Sequence, residues 1–100
     1  MFYTYIIRCE DNSLYTGITT DVERRFIEHL FDEKKGAKYT KTHKPVKVEV
    51  FWESEDKKKA SRLEFYLKKL TKPQKERIIK NDDFSVFGEK INHEDYKRIV

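Results

Sequence analysis

Apolar and polar residues alternate from Phe2 to Cys9 and again from Ser13 to Thr19, on either side of Glu10-Asp11-Asn12-Ser13. A period of two predicts two short strands joined by a tight turn. A three-residue loop with Asn12 in the left-handed conformation that Asn tolerates puts Tyr5 opposite Gly17 and Ile7 opposite Tyr15. Tyr3, Tyr5, Tyr15 and Gly17 then share one side of the hairpin. A loop of two or four residues would put Tyr5 and Tyr15 on opposite faces.

The period then changes to that of a helix. Thr20-Asp21-Val22-Glu23 matches a capping box, and Val22, Phe26 and Leu30 recur every fourth residue as a buried stripe with Ile27 beside it. Arg25 and His29 lie roughly 60° and 20° to one side of Val22, on the rim of that stripe. From Phe31 to Pro45 the periodicity fails, and Lys34, Lys35, Lys38, Lys41, Lys44 and Gly36 mark a basic loop. Val46, Val48, Val50 and Trp52 predict a third strand with one apolar face. Ser54 is a candidate cap for a helix over 55–70, with Ala60, Leu63, Leu67 and Leu70 buried and Glu64 at the edge of the stripe. Thr71-Lys72-Pro73-Gln74 ends this helix and caps a shorter one through Ile78 and Ile79. Beyond Asn81 the pattern weakens. Phe84, Val86 and Phe87 are candidates to close the core, and 92–100 reads as one last helical turn or a frayed end.

One hundred residues with no internal repeat or linker predict one domain, with a core over about 1–81 and a C-terminal extension over 82–100. A 14% aromatic content is too high for a disordered chain that is 40% charged, so the chain is expected to fold. The net charge of +4 leans toward polyanionic partners, although 18 acidic residues interspersed with 22 basic ones dilute it. The single Cys9 can form no intrachain disulfide and has no adjacent base, which favours an inert, buried thiol. With no signal-peptide pattern and no apolar run of about 18 residues, the expected setting is cytoplasmic, without membrane attachment.

No phosphate-binding Gly-rich loop, CxxC pair, HExxH or GxSxG occurs, so any chemistry must come from scattered residues. Tyr3-Thr4-Tyr5, then Tyr15-Thr16-Gly17, then Arg25 and His29 on the next helix, resemble the GIY-YIG nuclease superfamily. The likeness extends to its small stand-alone bacterial members through Leu14 to Thr19, Glu23 to Arg25, Gly36 to Thr40 and Leu70 to Glu76. The resemblance covers about Met1 to Asn81 and implies an α+β fold, with a three-stranded antiparallel sheet flanked by helices. It also implies cleavage of nucleic-acid phosphodiesters with one divalent metal, Mg²⁺ or Mn²⁺. By that likeness Tyr5 and Tyr15 match the two motif tyrosines, Gly17 the motif glycine, Arg25 the helix arginine and His29 the histidine or tyrosine one turn later. Glu64 matches the metal-binding glutamate. The first triplet here lacks the family's Gly and Ile, and Thr16 replaces Ile in the second.

The same residue types make chemical sense without the family. Phosphodiester hydrolysis needs a polarised water, positive charge on the non-bridging oxygens and help for the leaving group. Glu64 offers an oxygen ligand for a hard cation, Arg25 a bidentate contact to phosphate, and Tyr5 or Tyr15 a group to hold or deprotonate water. A phenol with a reference pKa of about 10 is a poor base at neutral pH, so the metal, Arg25 or Arg8 would have to lower it. Gly17 opposite Tyr5 is expected to leave backbone space for a phosphate. Lys38 and Lys41 are candidate phosphate contacts, and Tyr39 a candidate platform for an unpaired base. Simpler roles stand beside these: packing for the tyrosines, pairing of Arg25 with Asp21, and pairing of Glu64 with Lys68.

Two functions are therefore carried forward. One is a metal-dependent endonuclease acting as a monomer, on DNA in preference to RNA, selective for structure and linked to DNA repair or processing. The other is a nucleic-acid-binding module with this fold and no turnover.

Overall fold

The computed structural model describes residues 1–32 and 34–100. Strands β1 (Phe2–Cys9), β2 (Leu14–Thr19), β3 (Pro45–Ser54) and β4 (Lys97–Arg98) form one antiparallel sheet in the order β2-β1-β3-β4. The helices are α1 (Val22–Phe31), α2 (Lys38–Thr42), α3 (Lys57–Lys68) and α4 (Lys72–Asn81), followed by 3₁₀ turns at Phe84–Phe87 and His93–Asp95. The expected α+β class holds, with four strands in place of three. The fourth comes from the C-terminal stretch, which was expected to be a helical turn or a frayed end.

The hairpin has the register that the loop length implied. Tyr5 pairs with Gly17 and Ile7 with Tyr15, and Asn12 takes a φ of 68°. Because successive side chains on β1 point to opposite faces, the sheet divides two clusters. Ile6 joins Val50, Trp52, Leu63, Leu67 and Ile78 on one face, where Thr4 also donates to the Ala60 carbonyl at 3.0 Å. Tyr5, Ile7 and Cys9 join Tyr15, Phe26, Tyr39, Val48 and Phe51 on the other. Cys9 is buried, and burial raises its thiol pKa, consistent with an inert role.

β3 departs from the single apolar face that its sequence suggested. Ile7 pairs with Val48 and Ile6 with Val50, so Glu49 is an extra residue between them. The bulge turns Val48 toward the Tyr5 cluster while Val50 and Trp52 pack in the other. Glu49 is held there by Arg8, 2.8 Å from its Nε. Val46 is left exposed.

Two helix starts also shift. The N-cap of α1 is Asp21, accepting from the Arg24 amide at 3.1 Å, while Thr19 Oγ1 accepts from Asp21 N. That of α3 is Asp56; Ser54 instead donates to the Phe2 carbonyl. α4 has the expected capping box between Thr71 and Gln74. Within α1, Val22, Phe26 and Leu30 are half-buried, Ile27 is exposed, and the one fully buried residue is His29. The basic stretch expected to be loop contains α2, a short helix packed against α1.

The C-terminal extension is part of the core. Phe84, Phe87, Ile91 and Tyr96 are buried with Trp52, and Tyr96 donates to the Lys59 carbonyl at 2.7 Å. Asp82, in the left-handed conformation that ends α4, accepts from Trp52 Nε1 and from His93 Nε2, each at 2.8 Å. Arg98 closes the last turn of α4 through the carbonyls of Ile78 and Ile79.

Candidate active site

The hairpin register sets the position of Tyr5. Its ring lies across Gly17 on the neighbouring strand: a methyl group at Gly17 would come within 2.6 Å of Tyr5 Cζ and closer still to Oη. The space opposite Tyr5, expected to admit a phosphate, is filled by the Tyr5 ring itself. Gly17 is thus needed for close approach of an aromatic side chain.

Tyr5 is 2% exposed and His29 5% exposed. Tyr5 Oη lies 2.8 Å from His29 Nε2, and His29 Nδ1 lies 2.9 Å from Thr40 Oγ1. His29 therefore sits inside the fold and not on the rim expected of it, because Tyr5 and Thr40 satisfy both ring nitrogens. The ring of Tyr15 packs edge-on against His29, with centroids 5.2 Å apart.

The electrostatics run against an ionised Tyr5. Burial, then the neighbouring Tyr15, push the phenol well above its usual value, and the Glu64 carboxylate adds to this while Arg25 opposes it. Tyr5 is a phenol at neutral pH. Burial, then Arg25, lower His29 to about 4 against the smaller opposing effect of Glu28, so the imidazole is neutral. Arg8 takes no part, since Glu49 of β3 and Glu76 of α4 hold it.

Neutral burial of His29 has a consequence for acid stability. Between about pH 6.5 and about pH 4 the unfolded chain takes up a proton at His29 that the folded chain does not. Stability should therefore be complete above pH 6.5 and decline as pH falls to 4, by on the order of 3 kcal/mol. Urea unfolding at a series of pH values should show that this part of the decline is absent in His29→Gln. Asp11, lowered to about 2 by its bonds to Ser13 and His43, acts in a separate window below pH 4.

Arg25 donates from one terminal nitrogen to Glu28 Oε1 at 2.9 Å and to the Lys35 carbonyl. Its pairing is thus with Glu28 and not with Asp21. Its guanidinium also lies within hydrogen-bonding reach of the Tyr5 phenol, so it raises the tendency of Tyr5 to ionise while Glu28 and Tyr5 help keep Arg25 charged. Glu64 is paired with Lys68 at 3.3 Å, its side chain 23% exposed. No group of three or more His, Cys, Asp or Glu side chains gathers to hold a metal among the described residues. A single carboxylate beside a polar site suits a hard ion that keeps most of its waters, such as Mg²⁺, and does not suit zinc.

The basic stretch is more ordered than a solvated loop. Tyr39 stacks with Tyr15 and with His43, which in turn contacts Asp11. Its ring is already engaged within the protein and is not a free platform for a base. Lys38 and Lys41 are exposed. Lys41, with Lys34 and Lys44, lines a cleft of about 780 Å³ that reaches His29 and Thr40 but not Tyr5, Tyr15 or Glu64. Sequence reasoning assigns roles to Lys38, Tyr39 and Lys41 and misses Thr40 between them. Nothing local marks Thr40 out from Thr42 in the same helix; only its burial against His29 does.

The family model described as the GIY-YIG catalytic domain matches residues 1–77. The chain is 46% identical over 82 residues to the UPF0213 protein FN1575 of Fusobacterium nucleatum, covering 82% of this chain and 80% of that one. It is 40% identical over 100 residues to the UPF0213 protein CPE1444 of Clostridium perfringens, covering 100% and 98%, so that likeness includes the C-terminal extension. Among solved structures, the NMR structure of the UPF0213 protein BH0048 of Bacillus halodurans matches with a TM-score of 0.51 and 41% identity, over 80% of this chain and 84% of that one. With its paired tyrosines, Gly17, Arg25 and His29 set on the hairpin and first helix, the chain belongs to the GIY-YIG catalytic domain family.

Proposed function

We propose that this protein is a metal-dependent endonuclease that hydrolyses phosphodiester bonds in nucleic acid, with DNA preferred over RNA and structure-selective cutting in repair or processing. The observation that carries this reading is the hydrogen bond between the Tyr5 phenol and a neutral, buried His29, with Arg25 and Glu64 close enough to act on the same phenol. A phenol that donates its proton to His29 can still accept on its oxygen, from the Arg25 guanidinium and from a water. Tyr5 thereby orients the nucleophile, and His29 stands ready to take up positive charge as the proton moves. Arg25, held beside the Tyr5 phenol, binds the non-bridging phosphate oxygens. Tyr15, whose ring lies 5.2 Å from that of His29 and 6.3 Å from that of Tyr5, is a second hydroxyl for the leaving group or the water. Glu64 would hold one Mg²⁺ or Mn²⁺, which supplies charge neutralisation on the phosphate and acidifies bound water.

Lys38 and Lys41 serve the backbone of the substrate. Replacing both with alanine should weaken binding to all sequences alike and flatten the dependence of affinity on salt; an unchanged salt slope would remove them from the interface. Calcium separates the enzyme from a binding module. With Ca²⁺ in place of Mg²⁺ the wild type should bind labelled nucleic acid and not cut it, then cut on addition of excess Mg²⁺. Binding with no cutting under either ion, over duplex, flap, single-stranded and RNA substrates, would favour the module.

A further inference from the structure

The hydrogens around His29 can be counted. The neutral imidazole, the Tyr5 hydroxyl and the Thr40 hydroxyl carry one each. Thr40 Oγ1 lies 2.9 Å from the Ala37 carbonyl, an acceptor and never a donor. If Thr40 donates there, its oxygen must accept from Nδ1–H of His29 at 2.9 Å, and the bare Nε2 accepts from Tyr5 at 2.8 Å. All three hydrogens are then used in short bonds. In the other tautomer Nε2–H points at Tyr5, and the Tyr5 hydrogen has no acceptor among the described residues, since Arg25 offers only donors. Thr40 would also have to give up the Ala37 carbonyl. The one contact that favours that tautomer is Ala37 N–H to Nδ1, at 3.4 Å the longest of the set.

We propose that Thr40 is a positioning residue: by accepting from Nδ1–H of His29 it holds the tautomer whose Nε2 receives the Tyr5 proton. The part that concerns turnover rests on the hydrolase reading above; the tautomer assignment does not. Thr40 reaches no substrate in this scheme and acts through His29. Its acceptor role persists when His29 becomes charged, because Nδ1 keeps its hydrogen in both states. The proton from water passes to Tyr5 as the Tyr5 proton passes to Nε2, and no bond of the Thr40 end need be remade. A short helix carrying a buried threonine, in a stretch whose lysines face outward, is thereby given the role of holding His29.

The test is nitrogen-15 NMR of the histidine rings in the full-length protein, with His43 and His93 assigned by single substitution. Wild type should show a protonated Nδ1 and a bare Nε2 at His29. Thr40→Val, which keeps the branched shape and loses the acceptor, should change the tautomer and lower kcat by about 100-fold with KM little changed. Thr40→Ser should restore both. A wild-type ring protonated at Nε2 overturns the proposal even if the valine variant fails to fold. So does a valine variant whose His29 tautomer is unchanged. A wild type with the expected tautomer that cleaves nothing would overturn the hydrolase reading and leave the tautomer assignment standing.

Discussion

Glu64→Ala should abolish metal-dependent cleavage while leaving the melting temperature of the metal-free protein nearly where it was. The protein-side cost is small because the bond lost is an i,i+4 pair with Lys68, whose side chain is 53% exposed. Such pairs contribute about 0.3 to 0.5 kcal/mol. For a domain of this size that corresponds to roughly 1 to 4 °C. The catalytic cost is large because no group of three or more His, Cys, Asp or Glu side chains stands ready to hold the ion in place of Glu64 among the described residues. Removing it would leave the ion with waters and phosphate alone. Removing the carboxylate also removes a charge that raises the Tyr5 pKa, an effect that metal concentration does not change. Thermal unfolding of wild type and variant, without metal and with Mn²⁺, is the check. A variant that unfolds much earlier yet keeps the same metal-induced shift would make Glu64 structural.

Gly17→Ala is the second large effect, and here stability and activity should fall together. The added methyl meets the Tyr5 ring, which is buried and tied to His29, so neither partner can simply swing away. Overpacking of this kind costs about 1 to 3 kcal/mol. In melting temperature that is on the order of 10 °C. The displaced phenol would lose its alignment with His29, and cleavage with it. The cause can be isolated by a double-mutant cycle. In a Tyr5→Ala background the same substitution should cost almost nothing, because the obstructing ring is gone. Equal costs in both backgrounds would mean that Gly17 is required by its backbone and not by Tyr5.

The parts of the structure that were legible in the sequence are those fixed by short-range rules. The hairpin register follows from one turn in which Asn12 adopts a positive φ, and the α4 start from a Thr71–Gln74 capping box. Where two adjacent residues could serve as the cap, as with Thr20 and Asp21, pattern cannot choose between them. The β3 bulge was hidden because the apolar alternation runs unbroken through Val48 and Val50; the extra residue, Glu49, bonds Arg8 on the paired strand β1, a contact between segments far apart in the sequence. β4 is two polar residues long and has no period to read. For the candidate site, the set Tyr5, Tyr15, Arg25 and His29 was legible because hairpin and helix are consecutive. The burial of His29 was not, since its partner Thr40 comes from a separate helix and a polar ring on a helix wheel reads as surface.

The most direct measurement is single-turnover cleavage of a labelled nucleic-acid panel in Mg²⁺ by wild type and Tyr5→Phe, with binding measured in parallel in Ca²⁺. Phenylalanine keeps the ring over Gly17 and removes only the oxygen that is to hold the water. Wild type should cut at least one substrate, and Tyr5→Phe should bind it equally well and cut it about 100-fold or more slowly. Equal rates for the two proteins would contradict the assignment of the Tyr5–His29 pair to the chemistry.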